Sequence, residues 1–290
     1  MMRMLDTAEV GARAAEQAQA AADRAAIEIT SIDDPAGIRR VSALFDEIWG
    51  TDPDSAILPV GVLRALVHAG NYAAAALRGG EMVGAVVGFL GLDDWGPYLH
   101  SHILGVSATK QGGSIGFALK QHQRAWSLAA GIRKVTWTFD PLVRRNAFFN
   151  MQKLGASAGH YYENFYGKMT DGINAGDESD RVLIVWDLDD ERSLRAADGS
   201  LAEPESNGSA IALREGPDGE PEVQRVKAPT VLCATPTDIV SLRRTDPARA
   251  LRWRRALRET LGAYMDHGYA VSGFTRSGLY VLDHDADADN

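Results

Sequence analysis

The stretch from Leu99 to His122 limits the architecture more than any other part of this sequence. Leu99-His100-Ser101-His102-Ile103-Leu104-Gly105-Val106 reads as a short buried strand, and Ser107 to Gly116 as a glycine-bearing turn. Phe117-Ala118-Leu119-Lys120-Gln121-His122 opens a long amphipathic helix. Glycines let the backbone pass close to another group, and the first helical turn leaves N–H donors unpaired. The junction therefore suits a phosphate or pyrophosphate.

The rest of the chain narrows the classes further. With 290 residues it can hold one large domain or two modest ones, each with a proper core. A net charge of −9 argues against general binding to nucleic acid or anionic membranes, which needs surplus Lys and Arg. Cys233 is the single cysteine, so no intrachain disulfide forms, as expected of a protein in the reducing cytoplasm. No apolar run approaches the ~20 residues of a membrane span. The Ala-rich start, dotted with Asp6, Glu9, Arg13, Glu16, Asp23 and Arg24, lacks the uncharged core of a secretory signal.

Residues 1–26 favour helix but carry no large apolar residue after Val10, so they read as a helical or disordered extension, frayed or dependent on an interface. From 27 to 188 strands and helices follow one another. A strand at Ile27-Glu28-Ile29 leads through Asp33-Asp34-Pro35 into a helix bearing Ile38, Val41, Leu44, Phe45 and Ile48, and Pro59 opens a second helix. Tyr72–Leu77 and Met82–Leu90 form a hairpin, and Gly91–Pro97 is a loop before the opening stretch. Lys134–Phe139 is a strand, Asn146–Leu154 a helix, and Tyr161–Met169 and Val182–Leu188 two further strands. Residues 189–207 read as a linker or surface excursion, and 208–290 as a strand-helix-strand unit. The fold class is α/β with a mixed sheet (α+β in that sense) and an additional C-terminal α/β unit.

With its flanks, the opening stretch resembles the coenzyme A site of the GNAT superfamily of acyl-CoA N-acyltransferases. In that family a strand splays from its neighbour, a Gln/Arg-x-x-Gly-x-Gly/Ala loop wraps the pyrophosphate, and the next helix lends its N-terminus. Gln111-Gly112-Gly113-Ser114-Ile115-Gly116 fits this loop with Ser114 at the usual middle glycine. Asn146 to Ala156 is similar to the family helix that ends in Tyr-x-Lys-Leu-Gly, with Met151 in place of the tyrosine that commonly protonates the leaving thiolate. The resemblance covers residues 27–188 by element order, and the whole chain looks like a long GNAT branch with a C-terminal extension. It implies acetyl-CoA or another acyl-CoA, succinyl-CoA included, as cofactor. It also implies that Leu104, Gly105 and Val106 hold the thioester, that Gln111, Gly112, Gly113, Ser114, Ile115 and Gly116 hold the pyrophosphate, and that Asn146 and Phe149 line the cofactor. The alternative reading of Gly105 is a bulge or a close-packing position.

Acyl transfer to an amine needs a neutral amine, a polarised carbonyl and a destination for the proton. His100 and His102, two apart on one strand face, are the candidate bases; the alternative is hydrogen-bonded core histidines. The pair alone is too few ligands for zinc, so no metal site is expected. Tyr166 or Tyr162 could replace the missing tyrosine acid, or simply pack. Asp140 is a candidate for orienting the amine, or a strand stop before Pro141. Arg144, Arg145 and Arg181 suit a substrate carboxylate, or structural salt bridges. Arg252, Arg254, Arg255 and Arg258 read as the solvated face of an amphipathic helix.

The expected function is transfer of an acetyl or succinyl-type group from CoA to the amine of a small molecule such as an amino acid, by direct attack. The rival is a GNAT-like CoA-binding or sensor module impaired in catalysis. A homodimer in which Trp253 and Leu257 of the C-terminal unit face a partner is compatible with both.

Overall fold

The computed structural model describes residues 7–50, 56–107, 114–167 and 178–284. The chain divides into two compact units, residues 1–137 with 187–198, and residues 138–186 with 199–290.

The first unit contains α1 (Thr7–Arg24), β1 (Glu28–Ser31), α2 (Pro35–Trp49), α3 (Val60–His68), β2 (Ala73–Arg78), β3 (Glu81–Asp93), β4 (Gly96–Val106), α4 (Ile115–Ala129) and the first residues of β5 (Lys134–Phe139). Its strands lie in the order β1-β2-β3-β4-β5. The first four are antiparallel neighbours and β4 runs parallel to β5. α2 starts where the sequence signals it. The Asp34 carboxylate accepts from the amides of Ala36 (2.8 Å) and Gly37 (3.0 Å), Pro35 opens the helix, and Gly50 ends it at φ 61°. Its apolar stripe of Ile38, Val41, Leu44 and Phe45 packs on Ala73, Ala75, Ala85 and Val87 of the sheet. Each large side chain so buried contributes about 1.5–3 kcal/mol.

One sequence expectation changes here. Gly91–Pro97 is not a loop, because β3 runs on to Asp93 and β4 restarts at Gly96, leaving a tight hairpin. The N-terminal helix follows the second of its two expected alternatives, held by an interface rather than frayed. Ala14, Ala18, Ala21 and Ala22 are buried, and α1 lies on α4. Arg124 of α4 donates to Gln17 Oε1 (2.7 Å) and to the Leu188 carbonyl (2.7 Å). Small side chains let two helices approach closely, so a stripe of alanines packs where larger residues would hold the backbones apart.

The second unit holds the end of β5, α5 (Arg144–Phe148), a π-helical turn at Phe149–Lys153, and the antiparallel pair β6 (Ser157–Tyr162) and β7 (Arg181–Asp187). β6 begins four residues earlier than the expected strand, and turns occupy residues 163–166. Residues 189–207 are not structureless, since α6 (Glu191–Ala197), which belongs to the first unit, is capped by Asp190 on the Ser193 amide (2.6 Å). Beyond it come β8 (Ala210–Glu215), β9 (Pro221–Val223), β10 (Thr230–Ala234), α7 (Ile239–Thr245), α8 (Pro247–Leu257), a π-helical turn at Arg258–Gly262, α9 (Ala263–Asp266), β11 (Tyr269–Phe274) and β12 (Leu279–His284). The strands form a sheet in the order β11-β12-β10-β8-β9. Trp253 and Leu257 are fully buried, and the Trp253 indole donates to the Gly219 carbonyl (3.1 Å). They belong to this chain's own core, so the dimer surface expected of them is withdrawn. Among the described residues no helix is long and apolar enough to cross a membrane.

Candidate active site

In the first unit the feature that can hold a reacting group is a fork. β4 and β5 pair at Leu99 with Val135 and at His100 with Thr136, and the paired register stops there. Along β3 the register passes from Val87–Ile103 to Phe89–His100, so Gly88 alone stands opposite Ser101 and His102. This is a bulge on β4 at the point where the fork opens. Gly88 is required by it, because a Cβ there would lie 2.9 Å from the His100 carbonyl oxygen.

Beyond the bulge the Ser107 amide donates to the Val83 carbonyl (3.0 Å), which fixes the alternation. Amides of Ile103 and Gly105 point toward β3, and those of Leu104 and Val106 toward the side from which β5 has departed. Leu104 and Val106 are half-buried. Gly105 has its cause elsewhere: a Cβ would sit 2.7 Å from Ile48 Cδ1 and 2.9 Å from the Trp49 ring of α2. Its lack of a side chain serves packing.

His100 and His102 share one environment, each beside the Phe89 ring at centroid distances of 5.0 and 5.7 Å. His100 is half-buried and its Nδ1 lies 3.1 Å from Thr136 Oγ1. Burial, with His102 and Lys120 nearby, lowers its pKa to about 4. His102 is more exposed, and loss of water contact lowers its pKa too. Both rings are therefore neutral at pH 7, the state a proton acceptor needs.

At the start of α4, Ser114 takes a left-handed conformation, φ 64°, with no side-chain cap bond. A glycine would adopt this conformation without strain. The Ile115 side chain is core, abutting Gly84, so that residue offers only its backbone. A Cβ on Gly116 would meet Leu104 Cδ2 at an ordinary 3.7 Å, so this chain has room for one. Gln111, Gly112 and Gly113 lie outside the described residues.

The remaining candidates belong to the second unit. Asp140 is buried and fully engaged: Arg254 clamps it at 2.7 and 2.8 Å, Arg243 pairs with it, and its Oδ1 accepts the Leu142 amide at 3.0 Å. Burial would raise its pKa, but the Arg254 and Arg243 guanidinium groups outweigh that and hold it well below the carboxylate range. Its oxygens are committed to the scaffold, which displaces the amine-orienting role. Arg254 is fully buried and Arg258 binds Asp180 and Glu178, so these two leave the solvated face expected of the four arginines, while Arg252 and Arg255 remain on it. Arg144 donates to Thr235 Oγ1 (3.2 Å) and the Thr235 carbonyl, an internal lock that occupies the guanidinium expected to hold a carboxylate. Arg181 is buried, donates to the Asp180 carbonyl (2.8 Å) and lies 5.2 Å from the Tyr166 ring centre. The Tyr166 hydroxyl is 3.3 Å from Thr138 Oγ1 and the ring is about half exposed. Tyr162 packs edge-on against His160. Asn146 and Phe149 are half-buried, and Met151 is buried. Cys233 is buried, and burial pushes its thiol up to about 12, which removes it as a nucleophile.

The sequence reading missed Ser101 and Lys120. Lys120 is 4% exposed, and its Nζ donates to Ser101 Oγ (2.8 Å) and Gln123 Oε1 (3.0 Å) while lying 3.7 Å from the Trp137 ring centre. The available signal was the unbroken polar run Lys120-Gln121-His122-Gln123-Arg124.

No protein-family model matches the chain, and no curated protein matches it. Solved structures do. A GNAT-family acetyltransferase from Streptococcus pneumoniae aligns at 15% identity and TM-score 0.45, covering 55% of this chain and 98% of that one. An N-acetyltransferase from Staphylococcus aureus Mu50 aligns at 14% and 0.45, covering 56% and 98%. Arabidopsis thaliana Naa50, bound to a CoA bisubstrate analogue, aligns at 16% and 0.42, covering 55% and 97%. The resemblance is to GNAT acetyltransferases. It concerns the fold, and it leaves nearly half of this chain unmatched.

Proposed function

We propose that this chain is an acyl-CoA-dependent N-acyltransferase, moving an acetyl or succinyl-type group to the amine of a small molecule such as an amino acid. The observation that carries the reading is the fork: β4 leaves β5 after His100 and directs the Leu104 and Val106 amides into the gap beside two neutral histidines. Strand amides with no partner strand are preorganised donors for a carbonyl oxygen. At the helix end the reading is supported by Ser114, which holds the left-handed conformation that glycine favours.

Acyl-CoA, when bound, supplies the acyl group in activated thioester form. The amides of Leu104 and Val106 polarise its carbonyl. His102 takes the proton of the incoming ammonium, directly or through water, and His100, held by Thr136, keeps the neighbouring surface uncharged. Gln111 to Gly116 hold the pyrophosphate in this reading. Cys233, a lone buried thiol, fits a cytoplasmic protein.

Isothermal titration with acetyl-CoA and succinyl-CoA tests the reading: saturable heat with one of them is expected, and none with either at about millimolar concentration would end it. A second reading, a CoA-binding module without turnover, is favoured by buried Met151 at the family's tyrosine position. A free-thiol assay over a panel of amines separates the two.

A further inference from the structure

With Met151 apolar and buried, the transfer reading has no group to protonate the departing thiolate from the usual helix. We propose that Ser101 and Lys120 form that acid: Ser101 as the catalytic group that gives its hydroxyl proton to the leaving sulfur, and Lys120 as the positioning residue that refills it. The proposal rests on the acyl-transfer reading of the fork and adds the proton donor to it.

The geometry is local to the first unit. Ser101 is the residue after His100, the last residue of β4 paired to β5, and Trp137 is the residue after Thr136, its partner on β5. Lys120 reaches from α4 to both, bonding Ser101 and covering Trp137, so its nitrogen sits where the two strands part. Three acceptors surround it, Ser101 Oγ, Gln123 Oε1 and the Trp137 π face, and an ammonium has three N–H bonds to match them. Because Ser101 Oγ accepts from Lys120, its own proton remains for another acceptor.

No carboxylate among the described residues pairs with this amine. His100 on β4 is the titratable side chain that feels the charge of Lys120, and it is itself neutral at pH 7. On its own helix His122 is bonded to Tyr72 of β2 (2.8 Å), and Arg124 is held by Gln17 of α1 and the Leu188 carbonyl. Burial without a counter-charge lowers the lysine's pKa well below its ordinary value, making it a readier acid than a solvated lysine.

The proton balance closes. As the amine nitrogen bonds the acyl carbon and the carbon–sulfur bond breaks, Ser101 Oγ gives its proton to sulfur and receives one from Lys120 Nζ. The proton shed by the amine leaves through His102 to water, and Lys120 is reprotonated from solvent.

The test compares wild type with Lys120→Met, Ser101→Ala and Ser101→Thr. Methionine fills the same space without a charge, so Lys120→Met is expected to keep the fold by circular dichroism. It should lower kcat by about 100-fold and abolish the fall of kcat at alkaline pH. Ser101→Ala should do the same, and Ser101→Thr, which keeps the hydroxyl, should restore most of the rate. Independently of turnover, the Lys120 Cε resonance in 13C-lysine-labelled protein, assigned by its loss in Lys120→Met, should titrate below the other lysines and move in Ser101→Ala. An active wild type whose Lys120→Met variant keeps its rate and alkaline limb overturns the proposal alone, as does a Lys120 resonance titrating with the others. A wild type that transfers no acyl group overturns the transfer reading and this proposal with it.

Discussion

Two buried charged side chains in this chain stand in opposite circumstances. Asp140, in the second unit, is met by Arg254 in a two-point clamp, by Arg243 and by the Leu142 amide. Lys120, in the first, is met by a hydroxyl, an amide oxygen and an aromatic face. Taking an ion out of water costs several kcal/mol, which an opposite charge in good geometry offsets and neutral dipoles offset only in part. The matched charge is held in one protonation state and builds scaffold. The unmatched one is left able to exchange a proton, and it lies at the fork, where the sequence resemblance also pointed.

The largest effect should come from breaking the matched site. Asp140→Asn leaves two buried guanidinium groups without their carboxylate and is expected to cost about 3–5 kcal/mol in urea denaturation. The sign with pH follows from the depressed carboxyl. In wild type this contribution is full above the unfolded carboxyl pKa of about 4 and is lost as pH falls through the lower folded value, and the variant should lack that loss. Equal stability of the two proteins at pH 7 would remove the scaffold role.

A change on the fork should strike rate instead. His102→Ala is expected to lower kcat/KM by about 100-fold with little change in thermal midpoint, because the residue is solvent-exposed and, among the described residues, makes no hydrogen bond that the core depends on. In wild type kcat/KM should rise with pH through the His102 pKa, which lies below the ordinary 6.5, and stay level from there to neutrality. A midpoint that drops together with the rate would place His102 with the scaffold residues.

The smallest effect sharpens the comparison at a position with no charge. Ser114 adopts a conformation that costs a side-chain-bearing residue about 1–2 kcal/mol, and glycine's greater freedom in the unfolded chain cancels part of any gain. Ser114→Gly should therefore stabilise the protein by about 0.5–1 kcal/mol, read as a rise in urea midpoint. A fall would show that the serine side chain contributes more than its strain.

Much of the fold was legible because local rules decided it. The Asp34-Pro35 cap, the hairpin at Gly79-Gly80, the ends of α4 at Gly131 and of α8 at Pro247, and the strand at Thr230–Ala234 each have a cause within a few residues. The helix of Thr7–Arg24 was underread because its burial depends on alanines meeting α4, a contact that hydrophobic periodicity does not weigh. Arg254 of α8 and Arg258 just beyond it were misread for a related reason: spacing shows that they share a side, and only the fold supplies Asp140 and Asp180 to meet them.

The candidate site divides along the same line. By itself the sequence determined a strand and then a helix, with two histidines on the strand, because those follow from residue order and backbone preference. The tertiary structure decided the rest. It fixed where β4 leaves β5, since that depends on a strand more than 30 residues away. It assigned Gly105 to the packing of α2. It also buried Lys120, because α4 lies between the sheet and α1 and has little face left for solvent. Burial and charge pairing are properties of neighbours distant in the chain, and a lysine's identity carries no record of whether a carboxylate will be there to meet it.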